Sequence, residues 1–328
     1  MSSRPHLAVV AIGRNEGDRL KLCLRSVMNA ADVVVYVDSG SSDGSSEFAY
    51  SIGASVVALD MSRPFSAARA RNEGLARLKA ICPEVRFVQF IDGDCEVHPD
   101  WLPAACNFLL ANPKVAGVSG RLRERWPHAS IYNRLCDLEW DTPLGEAKAC
   151  GGIVLMRREA LEAAGGYRED VIAGEEPELC VRLRGLGWLI WRIDCDMAWH
   201  DAAMTQFKQW WTRSVRCGYA YAMGASLHGR APERHWVKER DRAVFWAMVL
   251  PVLLVVACLA LGPKSAWLAL VYPAQMVRLA MRSPLPGMGL SSVDGGLKVV
   301  GKFAEARGIV KFWHDKVQGR SPKIIEYK

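Results

Sequence analysis

Val88-Gln89-Phe90-Ile91-Asp92-Gly93-Asp94 reads as a buried strand that ends in two carboxylates separated by a glycine. Two acidic groups at the carboxyl end of one strand repel each other, so they are usually held there by a divalent cation with oxygen ligands, Mg2+ or Mn2+. The glycine between them lets backbone approach a bound phosphate closely. Ordinary turn chemistry is the plainer alternative, since Asp-Gly-Asp also suits a tight turn.

The surrounding hundred residues alternate strand-like and helix-like segments: Leu7 to Ile12, Asp18 to Asn29, Val33 to Val37, Ser45 to Ser51, Ala54 to Leu59, Ala67 to Ala80 and Arg86 to Ile91. This rhythm predicts an α/β fold, a mostly parallel central sheet flanked by helices and built from βαβ units. Ligands of such sheets bind at the carboxyl ends of the strands, which singles out the loops Gly13 to Gly17, Asp38 to Gly44 and Asp92 to Asp94. Beyond Pro113 the pattern is mixed, with strands expected at Val115 to Gly120, Gly152 to Met156 and Trp188 to Ile193, and a helix at Glu176 to Leu186. No break is evident there, so residues 1–230 read as one domain, with a change of pattern at about residue 113.

The remaining residues, 231–328, differ in character. Ala243 to Gly262 is twenty positions without a charge; at about 1.5 Å per residue it spans the roughly 30 Å hydrocarbon core of a bilayer. Pro251 within it is tolerable in a membrane helix. A second run, Ser265 to Ala280, is interrupted by Gln275 and Arg278, and the short Gly262 to Lys264 link predicts a C-terminal hydrophobic helical hairpin. A buried helix pair or a helix lying on the membrane surface are the alternatives. Of the 328 residues half are apolar, and the formal charge of +7 gathers around Arg230 to Arg242, Arg278, Arg282 and Lys298 to Lys323. Such charge beside apolar runs points to an anionic membrane surface rather than nucleic acid, for which no helix-turn-helix, RRM or zinc pattern is present. Basic outer flanks place both ends of the hairpin in the cytoplasm. Leu7 to Ile12 is too short for a secretory h-region, and the ten scattered cysteines form no C-x-x-C pair, so a reduced, cytoplasmic catalytic part is expected.

Four elements in order resemble the family 2 glycosyltransferases, whose nucleotide-sugar-binding fold is of the GT-A type. Val9-Val10-Ala11-Ile12-Gly13-Arg14-Asn15-Glu16 is similar to the first-strand signature, and Val35-Tyr36-Val37-Asp38-Ser39-Gly40-Ser41-Ser42-Asp43-Gly44-Ser45 to the second. Ala70-Arg71-Asn72-Glu73-Gly74 resembles the Ala-Arg-Asn-x-Gly helix, and Asp92-Gly93-Asp94 the DxD motif. The resemblance implies that Ala11, Gly13, Asn15, Glu16 and Asp38 hold the nucleotide, and that Asp92, Gly93 and Asp94 hold the metal and diphosphate. A carboxylate such as Asp38 can accept the N3 hydrogen of uracil, which favours UDP. Arg71 can offer a bidentate guanidinium to the diphosphate or to the carboxylates around it. Asp43 as a turn stabiliser and Arg69 as a solvated charge are the plainer readings of those two residues.

The second half supplies the acceptor side of the same resemblance. Gly151-Gly152-Ile153-Val154-Leu155-Met156 is similar to the family's glycine-rich loop and strand, and Ala164-Gly165-Gly166-Tyr167 to the turn after it. Gly174-Glu175-Glu176-Pro177-Glu178-Leu179 resembles the Gly-Glu-Asp-x-Glu-Leu segment that carries the catalytic base, which implies that role for Glu176, with Glu175, Gly151 and Gly152 facing the acceptor. Glu176 stands where the family has Asp, a difference of about 1.5 Å in reach. Without the resemblance, the three glutamates would be read as complementing a helix N-terminus. The family commonly has a histidine at the place of His200, completing the metal or diphosphate site. Arg213, Arg216 and Gly218 resemble the Arg-x-x-Arg-x-Gly helix of non-processive members, where Arg213 would meet the diphosphate. Trp140 is a candidate sugar-stacking platform.

The expected activity is an inverting, hexosyltransferase-like transfer. It is metal-dependent (Mn or Mg), and a sugar passes from a nucleotide-sugar donor to the hydroxyl of a glycan or lipid-linked acceptor. Exopolysaccharide or cell-envelope glycan synthesis at a bacterial inner membrane is the expected setting. A nucleotidyltransferase would need a glycine-rich, lysine-bearing signature that Gly13-Arg14-Asn15-Glu16-Gly17 lacks, and a non-catalytic scaffold would not need Asp92, Asp94 and Glu176.

Overall fold

The run Leu-Ala-Val-Val-Ala-Ile-Gly forms β1 (Leu7–Gly13), buried along six of its seven residues, as a strand covered on both faces must be. The structure is a computed structural model that describes residues 7–285, 287–320 and 324–325; Lys323, the end of the expected basic segment, lies outside the described residues. By internal contacts the chain divides into two units, residues 1–203 and 204–328.

In the first unit β1 is followed by α1 (Asp18–Val27), β2 (Val33–Asp38), α2 (Ser45–Ser51), β3 (Ser55–Ala58), α3 (Ala67–Ile81) and β4 (Phe87–Asp92). Then come β5 (Cys95–Val97), α4 (Trp101–Ala111), β6 (Val115–Glu124), α5 (Ile131–Glu139), β7 (Gly145–Ala147), β8 (Val154–Arg157), α6 (Arg158–Ala163), α7 (Glu175–Gly185) and β9 (Leu189–His200). One sheet runs in the order β3-β2-β1-β4-β8-β6-β9-β5, with β7 paired to β9. The strands β3, β2, β1 and β4 are parallel, whereas β8 runs antiparallel to both β4 and β6. Strand β9 pairs parallel with β6, and β5 and β7 run against β9, so six of the nine strands run one way and the sheet is mixed but mostly parallel, as expected. A short buried run such as Val154-Leu155-Met156 reads alike in either direction, so pattern alone could not orient β8.

Helices cover both faces. Leu20, Cys23, Leu24 and Val27 form the apolar stripe of α1 and share one core with Trp101, Leu102, Ala105 and Leu109 of α4. On the other face Ala68, Ala70 and Leu78 of α3 pack with Leu161 of α6 and Leu179 and Leu183 of α7. The fully buried Gln89 of β4 is not left unsatisfied, because its Oε1 accepts the Trp101 Nε1–H at 2.8 Å. Gly74 lets α3 lie close on β1: a Cβ there would stand 2.4 Å from Val10 Cγ1. Register places Gly13 beside Asp38 and Ile12 beside Asp92, so the carboxyl ends of β1, β2 and β4 finish level with one another. No disulfide forms among the described cysteines.

The second unit comprises α8 (Phe207–His228), α9 (Val237–Val244), a π-helical turn (Phe245–Val249), α10 (Leu250–Leu261), a 3-10 segment (Pro263–Leu270), α11 (Val271–Ala280) and α12 (Met288–Val317). Helices α8 and α12 meet backbone to backbone: a Cβ on Gly218 would lie 1.9 Å from the Glu305 carbonyl oxygen, and one on Gly308 2.0 Å from that of Val215. This packing assigns α8 to the second unit and moves the boundary from the expected residue 230 to residue 203. From Val237 to Leu261 the helix is continuous over 25 residues, and among the described residues it alone is long and apolar enough to cross a membrane. The π turn just before Pro251 absorbs the proline ring and its missing N–H. Gly262, at φ 88°, ends this leg, and the Tyr272 hydroxyl donates to the Trp246 carbonyl at 2.7 Å, so the chain does turn back along it. The second leg is divided between the 3-10 segment and the ten residues of α11, too short to span.

Candidate active site

The loops after β1 and β2 are laced together. Asn15, at φ 55°, adopts the left-handed conformation that asparagine tolerates; its N–H donates to Ser41 Oγ at 2.9 Å and its Oδ1 accepts the Ser42 N–H at 2.8 Å. Asp43 accepts from the N–H groups of Gly17 (2.8 Å) and Ser45 (3.1 Å), so it joins the two loops as well as holding its own turn. Asp38 is buried at the end of β2, where it accepts the Tyr36 hydroxyl at 2.9 Å and the N–H groups of Gly40 and Ser41 at 3.1 and 2.9 Å. Burial, and then the Asp38 charge, pushes the Tyr36 phenol far up, which keeps it a donor. Ala11 is buried within β1, and Glu16, ion-paired to Arg19 at 2.7 Å, folds over Gly13 and Gly93.

Arg69 departs from the solvated reading. It is buried, and its guanidinium donates to the carbonyls of Arg63 (2.9 Å) and Pro64 (2.8 Å) and to that of Asp60, tying down the loop that leads into α3.

Two residues on, Arg71 is 2 % exposed and faces three carboxylates. Its Nη2 donates to Asp92 Oδ1 at 2.9 Å, and its Nη1 donates to Glu175 Oε1 at 3.0 Å and is ion-paired with Glu176. The Tyr167 ring lies 5.5 Å from the guanidinium carbon. Asn72 fixes that tyrosine, donating to its carbonyl at 2.8 Å and accepting its N–H at 2.9 Å. Burial works against the Arg71 charge, but Glu176, Asp92 and Glu175 outweigh it and hold the guanidinium protonated. Both Glu175 and Glu176 are buried at the start of α7, behind Gly174 at φ 80°. Burial, reinforced by Glu175 and Asp92 and opposed by Arg71, pushes the Glu176 carboxyl up to about 8. Glu178 is occupied on its own helix by Arg182. Gly152 borders the cluster: a Cβ there would meet Arg71 Nη2 at 2.7 Å, Asp92 Oδ2 at 3.1 Å and Glu176 Oε1 at 3.3 Å, whereas one on Gly151 meets nothing within 4 Å.

Asp94 belongs to a second group. The antiparallel pairing of β5 with β9 sets Cys95 opposite His200, and the His200 Nε2 comes within 3.4 Å of Asp94 Oδ2. Potential ligand atoms of Asp94, Cys95 and His200 all lie within 4.8 Å of one another. Neighbouring donors on a small divalent ion, each at about 2.1 Å, stand roughly 3 Å apart, so the oxygen of Asp94 and the nitrogen of His200 suit Mg2+ or Mn2+ in type and spacing. The Cys95 thiol is a softer ligand and points its Sγ at Asp94 Oδ1, 3.4 Å away. Asp92 lies outside this group and is ion-paired with Arg71 at 2.9 Å. Pattern reading missed Glu124, buried at the end of β6. It accepts the N–H groups of Ala202 and Trp126 and the Asn133 amide, each at 3.1 Å, and its Oε2 is 3.9 Å from His200 Nδ1. Trp140 is set edge-on to His200, 4.7 Å between ring centroids. Arg213 lies on α8 in the second unit.

Comparison with known proteins agrees with this architecture. Residues 9–165 match the model of the family described as glycosyl transferase family 2. The pre-mycofactocin glycosyltransferase of Mycobacterium tuberculosis is 26 % identical over 239 residues, which cover 69 % of this chain and 49 % of that protein. A probable glucomannan 4-beta-mannosyltransferase of Arabidopsis thaliana is 26 % identical over 116 residues, 32 % of this chain and 21 % of the other. The chain thus spans half the length, or less, of the curated relatives it matches. The structure of the mannosyltransferase PcManGT from Pyrobaculum calidifontis, in complex with GDP-Man and Mn2+, superposes with a TM-score of 0.67 at 20 % identity, covering 96 % of this chain and 89 % of that one. Over residues 9–165, then, the chain is similar to glycosyl transferase family 2.

Proposed function

We propose that the first unit transfers a sugar, with inversion, from a nucleoside diphosphate sugar to an acceptor hydroxyl, and that Glu176 is the general base. The observation that carries this reading is the position of Glu176: a buried carboxylate with a raised pKa beside Gly152, at the carboxyl ends of β1, β2 and β4, where ligands of such sheets bind. In its ionised form Glu176 takes the acceptor proton, and Glu175 and Asp92 share Arg71 with it. Trp140 offers an apolar face to the acceptor sugar. The Asn15–Asp43 lacing shapes the nucleotide side, where Asp38 serves as the base-reading acceptor. UDP is the favoured donor nucleotide; GDP is the comparison to make, since the Pyrobaculum calidifontis neighbour holds GDP-Man. Asp94 and His200 would hold a divalent metal, Mn or Mg. When bound, that ion neutralises charge on the departing diphosphate.

The continuous apolar helix Val237–Leu261 supports anchorage to a membrane, and the basic residues around it support an anionic, cytoplasmic face. We therefore place the activity at a bacterial inner membrane, on a glycan or lipid-linked acceptor. A panel of UDP- and GDP-sugars, with and without Mn2+, scored for sugar release, transfer and thermal shift, tests the reading. Metal-dependent stabilisation by one nucleotide sugar together with its turnover is the expected result. Binding without turnover of any sugar in the panel would indicate a non-catalytic protein.

A further inference from the structure

Arg71 has the chemistry to grip a diphosphate, but its surroundings leave it no way to do so. One guanidinium faces three acids, Asp92 of β4 and Glu175 and Glu176 of α7, and both terminal nitrogens are engaged by them. A diphosphate could reach those nitrogens only by displacing a carboxylate, and it would enter a cluster whose acids outnumber its single cation. Burial at 2 % exposure, with the Tyr167 ring over the guanidinium and Gly152 pressed against Nη2, also leaves no room for the fork to swing. Three residues of the Arg71-Asn72-Glu73-Gly74 segment serve this placement: Arg71 holds the acids, Asn72 holds Tyr167 by two hydrogen bonds, and Gly74 lets α3 seat on Val10.

We infer that Arg71 is a positioning residue that aims the Glu176 carboxylate toward Gly152, and that it does not bind the donor diphosphate. This inference rests on the reading of Glu176 as the base. A planar fork reaching Asp92 with one nitrogen and Glu175 and Glu176 with the other fixes the direction of the carboxylates, which a point charge on a flexible stem does less well.

The test uses the full chain, kinetics with the donor selected by the panel, and calorimetry with UDP and GDP in the presence of Mn2+. Arg71→Gln should lower kcat by about a hundredfold, the scale of losing a well-placed base, while the nucleotide Kd stays within about threefold. Arg71→Lys should recover part of kcat, because it returns the charge without the fork. A Kd raised tenfold or more with kcat intact would make Arg71 a donor ligand and overturn the inference. Since Arg71→Gln leaves three acids without their cation, Arg71→Gln combined with Glu175→Gln provides a charge-relieved variant whose fold is checked by circular dichroism. Wild-type turnover by that folded double variant would also overturn it. Glu176→Gln separates the two claims. Full turnover by Glu176→Gln sinks the base reading, and with it the inference; an inactive Glu176→Gln beside a fully active Arg71→Gln sinks the positioning role alone.

Discussion

Gly151 and Gly152 are adjacent and chemically identical, yet substitution should affect them very differently. An alanine Cβ at Gly152 would lie 2.7 Å from Arg71 Nη2, 3.1 Å from Asp92 Oδ2 and 3.3 Å from Glu176 Oε1, all of them side-chain atoms, those of Arg71 and Glu176 on buried residues. The guanidinium has to retreat by several tenths of an ångström, and its hydrogen bond to Asp92 at 2.9 Å is the first to lengthen. Overpacking of this kind costs about 1–3 kcal/mol. For a protein of this size that corresponds to a Tm lower by roughly 2–4 °C. Turnover should fall further than stability implies, by about tenfold to a hundredfold, because small misplacement of a reacting group is expensive. Gly151→Ala adds its methyl to open space and should stay within about 0.5 kcal/mol of wild type with normal turnover. Thermal unfolding and steady-state transfer measured on both variants decide the matter. Equal behaviour of the two, or an undisturbed Gly152→Ala, would refute the cluster geometry.

Three further outcomes follow from the same structure. Because the Glu176 carboxyl titrates near 8 when folded against an ordinary 4.5, kcat/KM should climb as pH rises through about 8. The same shift has the opposite effect on stability: between 4.5 and 8 the unfolded chain releases this proton and the folded chain keeps it, so stability falls across that window, and denaturant titrations of Glu176→Gln should lack this contribution. Asp94→Asn or His200→Ala should abolish Mn2+-dependent nucleotide binding in calorimetry, and Glu124→Gln, acting through the Ala202 N–H and His200, should weaken it by about tenfold to a hundredfold; binding unaffected by all three would remove the metal from this site. Leu253→Asp with Val256→Asp places two charges on exposed positions of the apolar helix, each costing about 2.5–3.5 kcal/mol in a bilayer, and should shift the protein from the membrane fraction to the soluble one.

The first four strands of the sheet were legible because they announce themselves. Val-Val-Ala-Ile, Val-Tyr-Val and Val-Gln-Phe-Ile are buried runs, each closed by a polar turn, and the loops they point to are those the structure brings level. Less legible were features that depend on partners far along the chain. Arg69 and Arg71 share one helix and one residue type, but the first finds loop carbonyls and the second finds acids from β4 and α7, which no local pattern encodes. Asp92 and Asp94 read as one metal-binding pair, and in the structure Asp92 is paired with Arg71 and Asp94 with His200. Glu124 carries no signal at all in sequence, since its importance lies in the N–H groups that converge on it from Trp126 and Ala202. The unit boundary was misplaced for a similar reason: α8 is amphipathic like any domain helix, and its partner α12 begins sixty residues after it ends.

The central claim is that Glu176 removes the acceptor proton, and single-turnover transfer by Glu176→Gln tests it most directly. With the donor and Mn2+ saturating, the substitution should slow sugar transfer by about a hundredfold or more while nucleotide affinity stays near wild type, since a base contributes to the transition state and not to ground-state binding. Glu176→Gln that transfers at the wild-type rate, with Glu175→Gln inactive, would contradict the claim and move the base one residue back.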